Sequence, residues 1–314
     1  MAQKIIIDSD PGLDDAVAIL LALQSPELEV LGVTTVFGNG GVDRSTSNAL
    51  QILEAAGRKD IPVAVGASRP LVRAPRFGAS HMHGADGLAN LSARLPVPTI
   101  KPIEQLAANF IIDMIRAHPG AVTLVPIGPL TNIALAARLH PAIVNKVRAV
   151  VLMGGAAFVG GNASAVAEAN IYNDPHAAQI VFEAGWPVVM ASWDVTLRFP
   201  VMHDDLQRIQ AINNPVAHFV SQLLAFLREQ EAKHGYEILL PDLHTIGYLI
   251  APELYSVRRL PCYVETEGRS SGLTAVDVRP VTRDSTMPEI DILLDVDRER
   301  LNSLLRERLA AFAM

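Results

Sequence analysis

The chain has 314 residues, half of them hydrophobic, so it is long enough to bury a large core. Its 26 basic and 33 acidic residues give a formal net charge of -7, and no long run of like charges occurs. This balance argues against nucleic acid or an anionic membrane as a partner and favours a small molecule. The single cysteine, Cys262, excludes an intrachain disulfide framework and a zinc site of the CxxC type.

The N-terminal segment enters a short apolar run at residues 5–7, which is too short for the core of a signal peptide. No window reaches the ~20 uninterrupted apolar residues that a membrane helix needs. We therefore expect a soluble, cytoplasmic protein.

From the N-terminus onward, short apolar runs bounded by glycine or proline alternate with longer stretches of helical period. This alternation is typical of β-α units, and the nearly continuous apolar runs predict parallel strands that are buried on both faces. The predicted strands lie at residues 4–7, 30–36, 62–65, 122–127, 149–153 and 187–191, and the predicted helices at residues 14–23, 42–56, 103–117, 130–139 and 175–184. The pattern predicts an α/β fold with a doubly wound, mostly parallel, open, Rossmann-like sheet.

Two segments depart from this alternation. Residues 68–98 are rich in proline, glycine and alanine and contain the run HMHGADG at 81–87, so we predict a long loop and a candidate lid. Residues 203–250 have helical period, and late strands are predicted at 255–267 and 290–296, the last followed by a C-terminal helix. With no repeat or linker, we expect residues 1–314 to form a single domain with a helical excursion near the C-terminal third.

Four aspartates, Asp8, Asp10, Asp14 and Asp15, lie within eight residues directly after the first predicted strand. Ligands of open parallel sheets bind beyond the carboxyl ends of the strands, which is where this run lies. The Pro-Gly pair at 11–12 turns the chain tightly, so the carboxylates of Asp10, Asp14 and Asp15 converge and would repel one another without a cation. Because calcium accepts about 6–8 oxygen ligands, several carboxylates favour calcium over magnesium.

Other interpretations of the acidic run explain it less completely. Helix capping and the helix dipole account for Asp14 and Asp15, but not for four aspartates beside a strand end. An EF-hand is excluded because the glycine and the terminal glutamate are not at the required offsets from Asp8. A strand followed by Asp8 and Asp10 also fits the opening of a haloacid-dehalogenase-like phosphatase, in which Asp8 would be the nucleophile.

The run DSDPGLDD at residues 8–15 resembles the signature of the inosine-uridine-preferring nucleoside hydrolase family. Six further motifs follow in that family's order: VFGN at 36–39, HGADGL at 83–88, IGPLTN at 127–132, VLMGG at 151–155, EAN at 168–170 and NDP at 173–175. The resemblance covers most of the chain and disfavours the phosphatase. It implies the nucleoside hydrolase fold and an N-ribosyl hydrolase that uses calcium to cleave ribonucleosides into ribose and free base.

Position by position, the resemblance implies a calcium site formed by Asp10, Asp15, Asp242 and the main-chain carbonyl of Ile127. Asp10 would also take the proton from the water that the metal holds. Asp10 is therefore predicted as a catalytic residue as well as a metal ligand, and Asp14 is predicted as a second catalytic residue.

The resemblance also implies the ribose contacts. Asp14 and Asn39 would contact ribose hydroxyls, Glu168 and Asn170 would lie near the 5' and 3' hydroxyls, and Met153 would line the sugar pocket. On residue chemistry alone, the asparagines could be turn residues, the glutamate a solvated charge and the methionine a gap filler in the core.

Protonation of the departing base is the step for which the sequence offers no clear donor. N-glycoside hydrolysis passes through an oxocarbenium-like transition state, and many family members carry a histidine immediately before the aspartate that matches Asp242. Here that position is Pro241. His83 is the predicted catalytic substitute because of its loop, and the other candidates are His81, His244, Tyr236 and Trp193. A further possibility is that no acid exists, and the base preference stays open.

Three functions are therefore compatible with the sequence: a nucleoside hydrolase, a magnesium-dependent phosphatase that uses Asp8, and a noncatalytic ribose or nucleoside binder. The first is favoured. The expected partners are a nucleoside substrate and further copies of the chain, since relatives of the resembled family are commonly homodimers or homotetramers.

Overall fold

A nine-stranded sheet forms the frame of the computed structural model, which describes residues 2–75, 80–233, 235, 237–280, 284 and 286–313. The strands are β1 (Gln3–Ser9), β2 (Leu28–Thr35), β3 (Val63–Val65), β4 (Val122–Pro126), β5 (Ala149–Met153), β6 (Val188–Ala191), β7 (Tyr255–Val264), β8 (Thr274–Val276) and β9 (Glu289–Val296). Their order across the sheet is β3-β2-β1-β4-β5-β6-β9-β7-β8. Neighbouring strands from β3 to β9 are parallel, and β7 is antiparallel to both β9 and β8, so the predicted mostly parallel α/β fold is confirmed.

The helices surround this sheet. They are α1 (Leu13–Leu23), α2 (Val42–Ala55), α3 (Ser80–His83), α4 (Ala107–Ala117), α5 (Thr131–Leu139), α6 (Ala169–Asn173), α7 (Pro175–Glu183), α8 (Trp193–Arg198), α9 (His203–Gln210), α10 (Pro215–Ala232), α11 (Leu243–Ile250) and α12 (Arg298–Ala310). No helix among these described segments is long and apolar enough to cross a membrane.

Strand β1 shows why the helices form two layers. Ile5 and Ile7 pack into one hydrophobic cluster with residues of α1, α10, α11 and α12, whereas Ile6 packs into a second cluster with residues of α4, α5 and α7. All three isoleucines are fully buried. Because successive side chains of a strand point to opposite faces, the apolar run at 5–7 requires helices on both sides of the sheet.

The strand order also fixes where a ligand can bind. From β1 the chain continues to β2 and β3 on one side, then returns to place β4 on the other side of β1. Adjacent loops that leave a sheet in opposite directions open a crevice at the carboxyl ends of the strands. The loops after β1 and β4 lie at this crevice, and they carry Asp10 and Ile127.

The predicted strands and helices agree closely with the structure, with a few differences. The helix predicted from residue 103 begins at Ala107 instead, because the main chain of Ile103 donates a hydrogen bond to the Val63 carbonyl and extends the sheet. The predicted helical segment 203–250 divides into α9, α10 and α11. The strand predicted at 255–267 ends at Val264, and β8, α6 and α8 were not predicted. The predicted loop at 68–98 includes α3 and a 3-10 turn at Ser92–Arg94, although residues 76–79 lie outside the described residues.

Candidate active site

A cavity of about 610 Å³ lies at the carboxyl ends of the central strands. The loops after β1, β2 and β4, the end of β5 and the start of α6 all contribute to its wall. It is lined by every residue that was predicted for the site: Asp10, Asp14, Asp15, Asn39, His83, Ile127, Met153, Glu168, Asn170 and Asp242. Residues that are up to 232 positions apart in sequence therefore meet at the crevice that the strand order predicts.

Backbone contacts hold the carboxyl group of Asp10 in place. Its Oδ2 accepts a 2.6 Å hydrogen bond from the main-chain N–H of Asn39. A Cβ atom added at Gly38 or at Gly128 would overlap the Asp10 carboxyl group. The glycines of the motifs at 36–39 and 127–132 thus let two backbone segments approach this aspartate from neighbouring strand ends.

The first turn of α1 orients Asp15. Its two carboxyl oxygens accept hydrogen bonds from the Ser9 hydroxyl at 2.6 Å and from the Gly12 main-chain N–H at 2.9 Å. The adjacent Asp14 has a buried Oδ1 with no hydrogen-bond partner among the described residues. The bonds to Asp15 resemble the helix capping expected of an acidic first turn, whereas the unpartnered oxygen of Asp14 calls for a ligand.

Carboxyl oxygens of Asp14, Asp15 and Asp242 lie within 4.8 Å of one another. Burial raises the pKa of Asp242 well above its usual value, and the negative charges of Asp14 and Asp15 raise it further. Burial also raises the pKa of Asp10, with the charge of Asp15 as the next cause. So many buried carboxylates are unfavourable without a counter-charge, and an all-oxygen donor set fits a hard divalent cation.

This cluster differs in one respect from the metal site that was predicted. The three oxygens that lie within 4.8 Å of one another include one from Asp14, which the family resemblance implied as a ribose contact and not as a metal ligand. Asp10 approaches the cluster from the side of Asn39, whose side-chain amide also donates to Asp15 Oδ2 at 3.4 Å. Asp14 is therefore a candidate metal ligand in addition to the four that were predicted.

Asn170 connects the ends of β4 and β5. Its side-chain amide donates to the Ile127 carbonyl at 3.0 Å and to the Met153 carbonyl at 3.2 Å. A carbonyl oxygen has two lone pairs, so Ile127 keeps one for another partner. Asn170 is a bridge between two strand ends and not merely a turn residue.

Glu168 is fixed by the helix that follows it. As the N-cap of α6, its carboxyl group accepts main-chain hydrogen bonds from Asn170 at 2.9 and 3.0 Å, Ile171 at 3.3 Å and Gly155 at 3.0 Å. Burial raises the pKa of Glu168 to about 7 despite these bonds. Glu168 is therefore a buried acceptor in the cavity wall and not a solvated surface charge.

His83 is held from the start of α1. Its Nδ1 accepts a 3.1 Å hydrogen bond from the main-chain N–H of Leu13, which leaves the ring proton on Nε2. Burial lowers the pKa of His83 to about 4. The ring is therefore neutral near pH 7, which argues against the predicted role of His83 as an imidazolium acid.

The other candidate proton donors differ in whether they line the cavity. His81 and Trp193 line the cavity, whereas His244 is fully buried between the rings of Phe199 and Tyr255 and is not among the described lining residues. Tyr236 lies outside the described residues. His244 is therefore a residue of the hydrophobic core.

One further residue with a carboxyl group lines the cavity and was not predicted from the sequence. Glu231, near the end of α10, is only 7% exposed. It continues the buried stripe of Val220, Leu224 and Leu227 at helical spacing. The sequence signal was a charged residue on the apolar face of a predicted helix.

Asp8 lies outside the cavity. It is fully buried, and its Oδ1 accepts hydrogen bonds from Thr34 and Asn132. Burial raises the pKa of Asp8 to about 7. A nucleophile must reach the substrate, so the prediction of a phosphatase that uses Asp8 is wrong.

Comparison with known proteins gives a consistent result along the whole chain. A family model described as inosine-uridine preferring nucleoside hydrolase matches residues 5–303. The chain is 42% identical over 318 aligned residues, which cover 100% of both chains, to the pyrimidine-specific ribonucleoside hydrolase RihA of Enterobacter sp. strain 638. Among solved structures, a plant nucleoside hydrolase matches with a TM-score of 0.93 and 36% identity, over 99% of this chain and 100% of that chain. A purine-preferring ribonucleoside hydrolase from Gardnerella vaginalis matches with a TM-score of 0.91 and 30% identity, over 99% of each chain.

Proposed function

Because the chain belongs to the inosine-uridine preferring nucleoside hydrolase family and hydrolyses ribonucleosides to ribose and free base, we propose that this reaction uses a calcium ion at the carboxyl cluster. The observation that carries the proposal is the convergence of buried carboxyl oxygens from Asp14, Asp15 and Asp242, with Asp10 beside them. Buried like charges of this kind are relieved by a hard cation, and flexible coordination by many carboxylates suits calcium.

The proposed ligands are the carboxylates of Asp10, Asp15 and Asp242 and the carbonyl of Ile127. Asp14 is a fifth proposed ligand, because its carboxyl oxygen lies within 4.8 Å of those of Asp15 and Asp242. When bound, calcium would orient the ribose diol, hold the attacking water and lower its pKa. This assignment rests on the chemistry of the donors, since each of these residues lines the cavity and carries an oxygen that can bind a hard cation.

Asp10 is the proposed general base. The main-chain N–H of Asn39 fixes its carboxyl group from one side, and the glycine at 128 leaves room for it on the other. In this position the carboxylate can take the proton of the attacking water as the water oxygen bonds to the anomeric carbon. Carboxylates around the sugar also favour the positive charge that develops on the ring.

The ribose is proposed to lie between α1 and the start of α6. Asp14 and Asn39 would contact hydroxyls on one side, and Glu168 and Asn170 would contact the 5' and 3' hydroxyls on the other, with Met153 against the sugar ring. Glu168 and Asn170 are each held by several hydrogen bonds, which keeps such contacts preorganised. Positioning of this kind contributes several kcal/mol to catalysis in comparable systems.

Pyrimidine ribonucleosides are the proposed preferred substrates. The relative named as pyrimidine-specific shares 42% of its residues with this chain, whereas the solved structure named as purine-preferring shares 30%. A matched series of uridine, cytidine, inosine and adenosine at fixed calcium would test this preference. Faster ribose release from the two purine nucleosides would contradict it.

Release of reducing sugar from uridine tests the proposed function directly. We expect ribose release that stops after dialysis against a calcium chelator and returns when calcium is added. Undiminished turnover after exhaustive chelation would refute the metal proposal and leave the family assignment intact. The same protein should not release phosphate from p-nitrophenyl phosphate, because Asp8 is buried away from the cavity.

Two broader properties are also proposals. A homodimer or homotetramer is proposed, and light scattering of the purified protein would measure the oligomeric state.

A cytoplasmic location is proposed because the single cysteine, buried at position 262, suits a reducing compartment.

A further inference from the structure

Part of the cavity wall differs from the carboxyl cluster in its chemistry. Met82, Trp193, Leu227 and Leu239 contribute to it together with His81. Flat aromatic and apolar side chains suit a nucleobase, since its faces are apolar and its edges carry the hydrogen-bonding groups. With the ribose placed at the carboxyl cluster, this part of the cavity is left for the base.

Glu231 brings a carboxyl group to this apolar region. It follows Leu227 by one helical turn on α10, and α10 packs against both α1 and α3. No hydrogen bond or ion pair reaches the Glu231 side chain from the described residues, although it is only 7% exposed. A carboxyl group that lines a cavity beside apolar side chains, without a partner among the described residues, is a candidate for contact with a ligand.

The protonation state of Glu231 suits a proton donor. Burial raises its pKa to about 7, with the negative charge of Asp14 as the second cause. Among the described residues of α1 and α3, the titratable groups that share the cavity with it are Asp14, Asp15, His81 and His83. A general acid must hold a proton near neutral pH, and burial shifts Glu231 in that direction.

The other described candidates are less suited to this role. His83 is neutral, and its Nδ1 is already engaged by Leu13. Glu168 also has a pKa of about 7, but both of its carboxyl oxygens accept main-chain hydrogen bonds and are therefore held as acceptors. Position 241, before the proposed metal ligand Asp242, is a proline and has no proton to give.

We propose that Glu231 is the catalytic residue that protonates the departing nucleobase. This inference rests on the proposed function, because it places the ribose at the carboxyl cluster. As the bond between the anomeric carbon and the base nitrogen breaks, its electron pair passes to the base, and the base takes the Glu231 proton. The water oxygen bonds to the anomeric carbon, and Asp10 takes the proton of that water. Exchange with solvent then returns the proton to Glu231 and removes it from Asp10.

Glu231→Gln tests this assignment by comparing two leaving groups. Glutamine preserves shape and polarity but has no acidic proton. We expect hydrolysis of uridine by the full-length, calcium-loaded protein to fall by about 10²- to 10⁴-fold. Hydrolysis of p-nitrophenyl riboside should change by less than about threefold, because p-nitrophenolate leaves without protonation. A residue that only supports the fold would reduce both reactions together.

Glu229→Gln is the matched control, since Glu229 is an exposed glutamate on the same helix and the charge change is identical. We expect it to leave both reactions unchanged. If Glu231→Gln does not fold, as judged by circular dichroism, Glu231→Asp is the second variant. It keeps the acidic proton on a shorter side chain, so hydrolysis of uridine should fall more than hydrolysis of p-nitrophenyl riboside, by a smaller factor than in Glu231→Gln.

Equal loss of both reactions in Glu231→Gln, or no loss on uridine, would overturn the inference. If His81→Gln loses hydrolysis of uridine but keeps hydrolysis of p-nitrophenyl riboside, and Glu231→Gln shows no such difference, the proton donor is His81 instead. If the wild-type protein cleaves neither substrate, the proposed function itself fails, so the two failures are distinguishable.

Discussion

Asp8 and Asp10 show how two residues of one motif acquire different roles. Asp8 belongs to β1, and its side chain is enclosed by Thr34 of β2 and Asn132 of α5. Asp10 comes after the strand has ended and lines the cavity. A step of two residues along the chain, from inside the strand to just beyond its end, therefore separates a structural carboxyl group from a catalytic candidate.

We expect Asp10→Asn to lower the kcat for uridine by about 10²-fold or more, because the amide cannot accept the proton of the attacking water. Asp8→Asn should change kcat by less than about fivefold, since asparagine retains an acceptor for Thr34 and does not contact the cavity. Steady-state kinetics of both variants at saturating calcium measures the difference. A large loss of kcat in Asp8→Asn, with normal folding, would contradict this division of roles.

The loops at the strand ends position the site through their glycines. A Cβ atom at Gly38 has no space, because the Asp10 carboxyl group occupies it. We expect Gly38→Ala to displace that carboxyl group and to reduce activity on uridine by at least about tenfold, with a smaller effect on folding.

Gly41→Ala is the control for this variant, because an added Cβ there meets nothing within 4 Å. It should keep wild-type activity. Crystal structures of the two variants would show whether Asp10 moves only in the first. Full activity of Gly38→Ala would mean that the site does not require the observed position of Asp10.

Asp174 ties three elements together away from the cavity. It caps α7 by accepting from the Ala177 N–H at 3.0 Å, and it also accepts from the Leu71 N–H at 2.9 Å and the Thr131 hydroxyl at 2.7 Å. We expect Asp174→Ala to lower the free energy of unfolding by about 2–4 kcal/mol, because a cap is lost and buried donors are left unsatisfied. Urea denaturation with the exposed Asp43→Ala as a control, expected to cost under about 1 kcal/mol, would measure the effect.

The agreement between sequence and structure is best where local pattern decides the outcome. Strand β5 has the predicted bounds Ala149–Met153, because an apolar run followed by two glycines marks both the strand and its end. Strand β8, at Thr274–Val276, is three residues long and exists through pairing with β7, which no local pattern reveals.

The same distinction applies to the candidate site. Motifs predicted which residues line the cavity, but the contacts that define their roles come from distant segments, as with His83 and Leu13. Glu231 belongs to none of the motifs. Its sequence signal was a charge on the apolar face of a helix, and the packing of α10 against α1 and α3 shows what that charge faces.

At the scale of the whole molecule, the fold concentrates negative charge at one crevice. The sheet brings carboxyl groups from the first fifteen residues together with Asp242, and burial removes most of their contact with water. A formal charge of -7 is moderate for 314 residues, so the electrostatic cost arises from this local concentration and not from the net charge. The stability of the fold should therefore depend on protons and on calcium together.

The pH dependence follows from the raised pKa values. Burial raises the pKa of Asp8 from 3.8 to about 7 and the pKa of Glu168 from 4.5 to about 7. Burial, together with the charge of Asp14, raises the pKa of Asp15 from 3.8 to about 6. Between about pH 4 and pH 7 these three carboxyl groups thus hold more protons in the folded protein than in the unfolded chain. The contribution of these groups to the free energy of unfolding therefore falls as pH rises through this window.

Calcium should reverse this loss, because a bound cation replaces the protons that the carboxyl groups would otherwise keep. With a chelator present, we expect a lower Tm at pH 7.5 than at pH 5.5. Excess calcium at 100 times its Kd should stabilise the protein by about 2.7 kcal/mol at pH 7.5, and by less at pH 5.5, where protons compete. Differential scanning fluorimetry at both pH values, with and without calcium, would measure the four transitions. An equal calcium effect at both pH values would mean that the cation binds away from the buried carboxyl cluster.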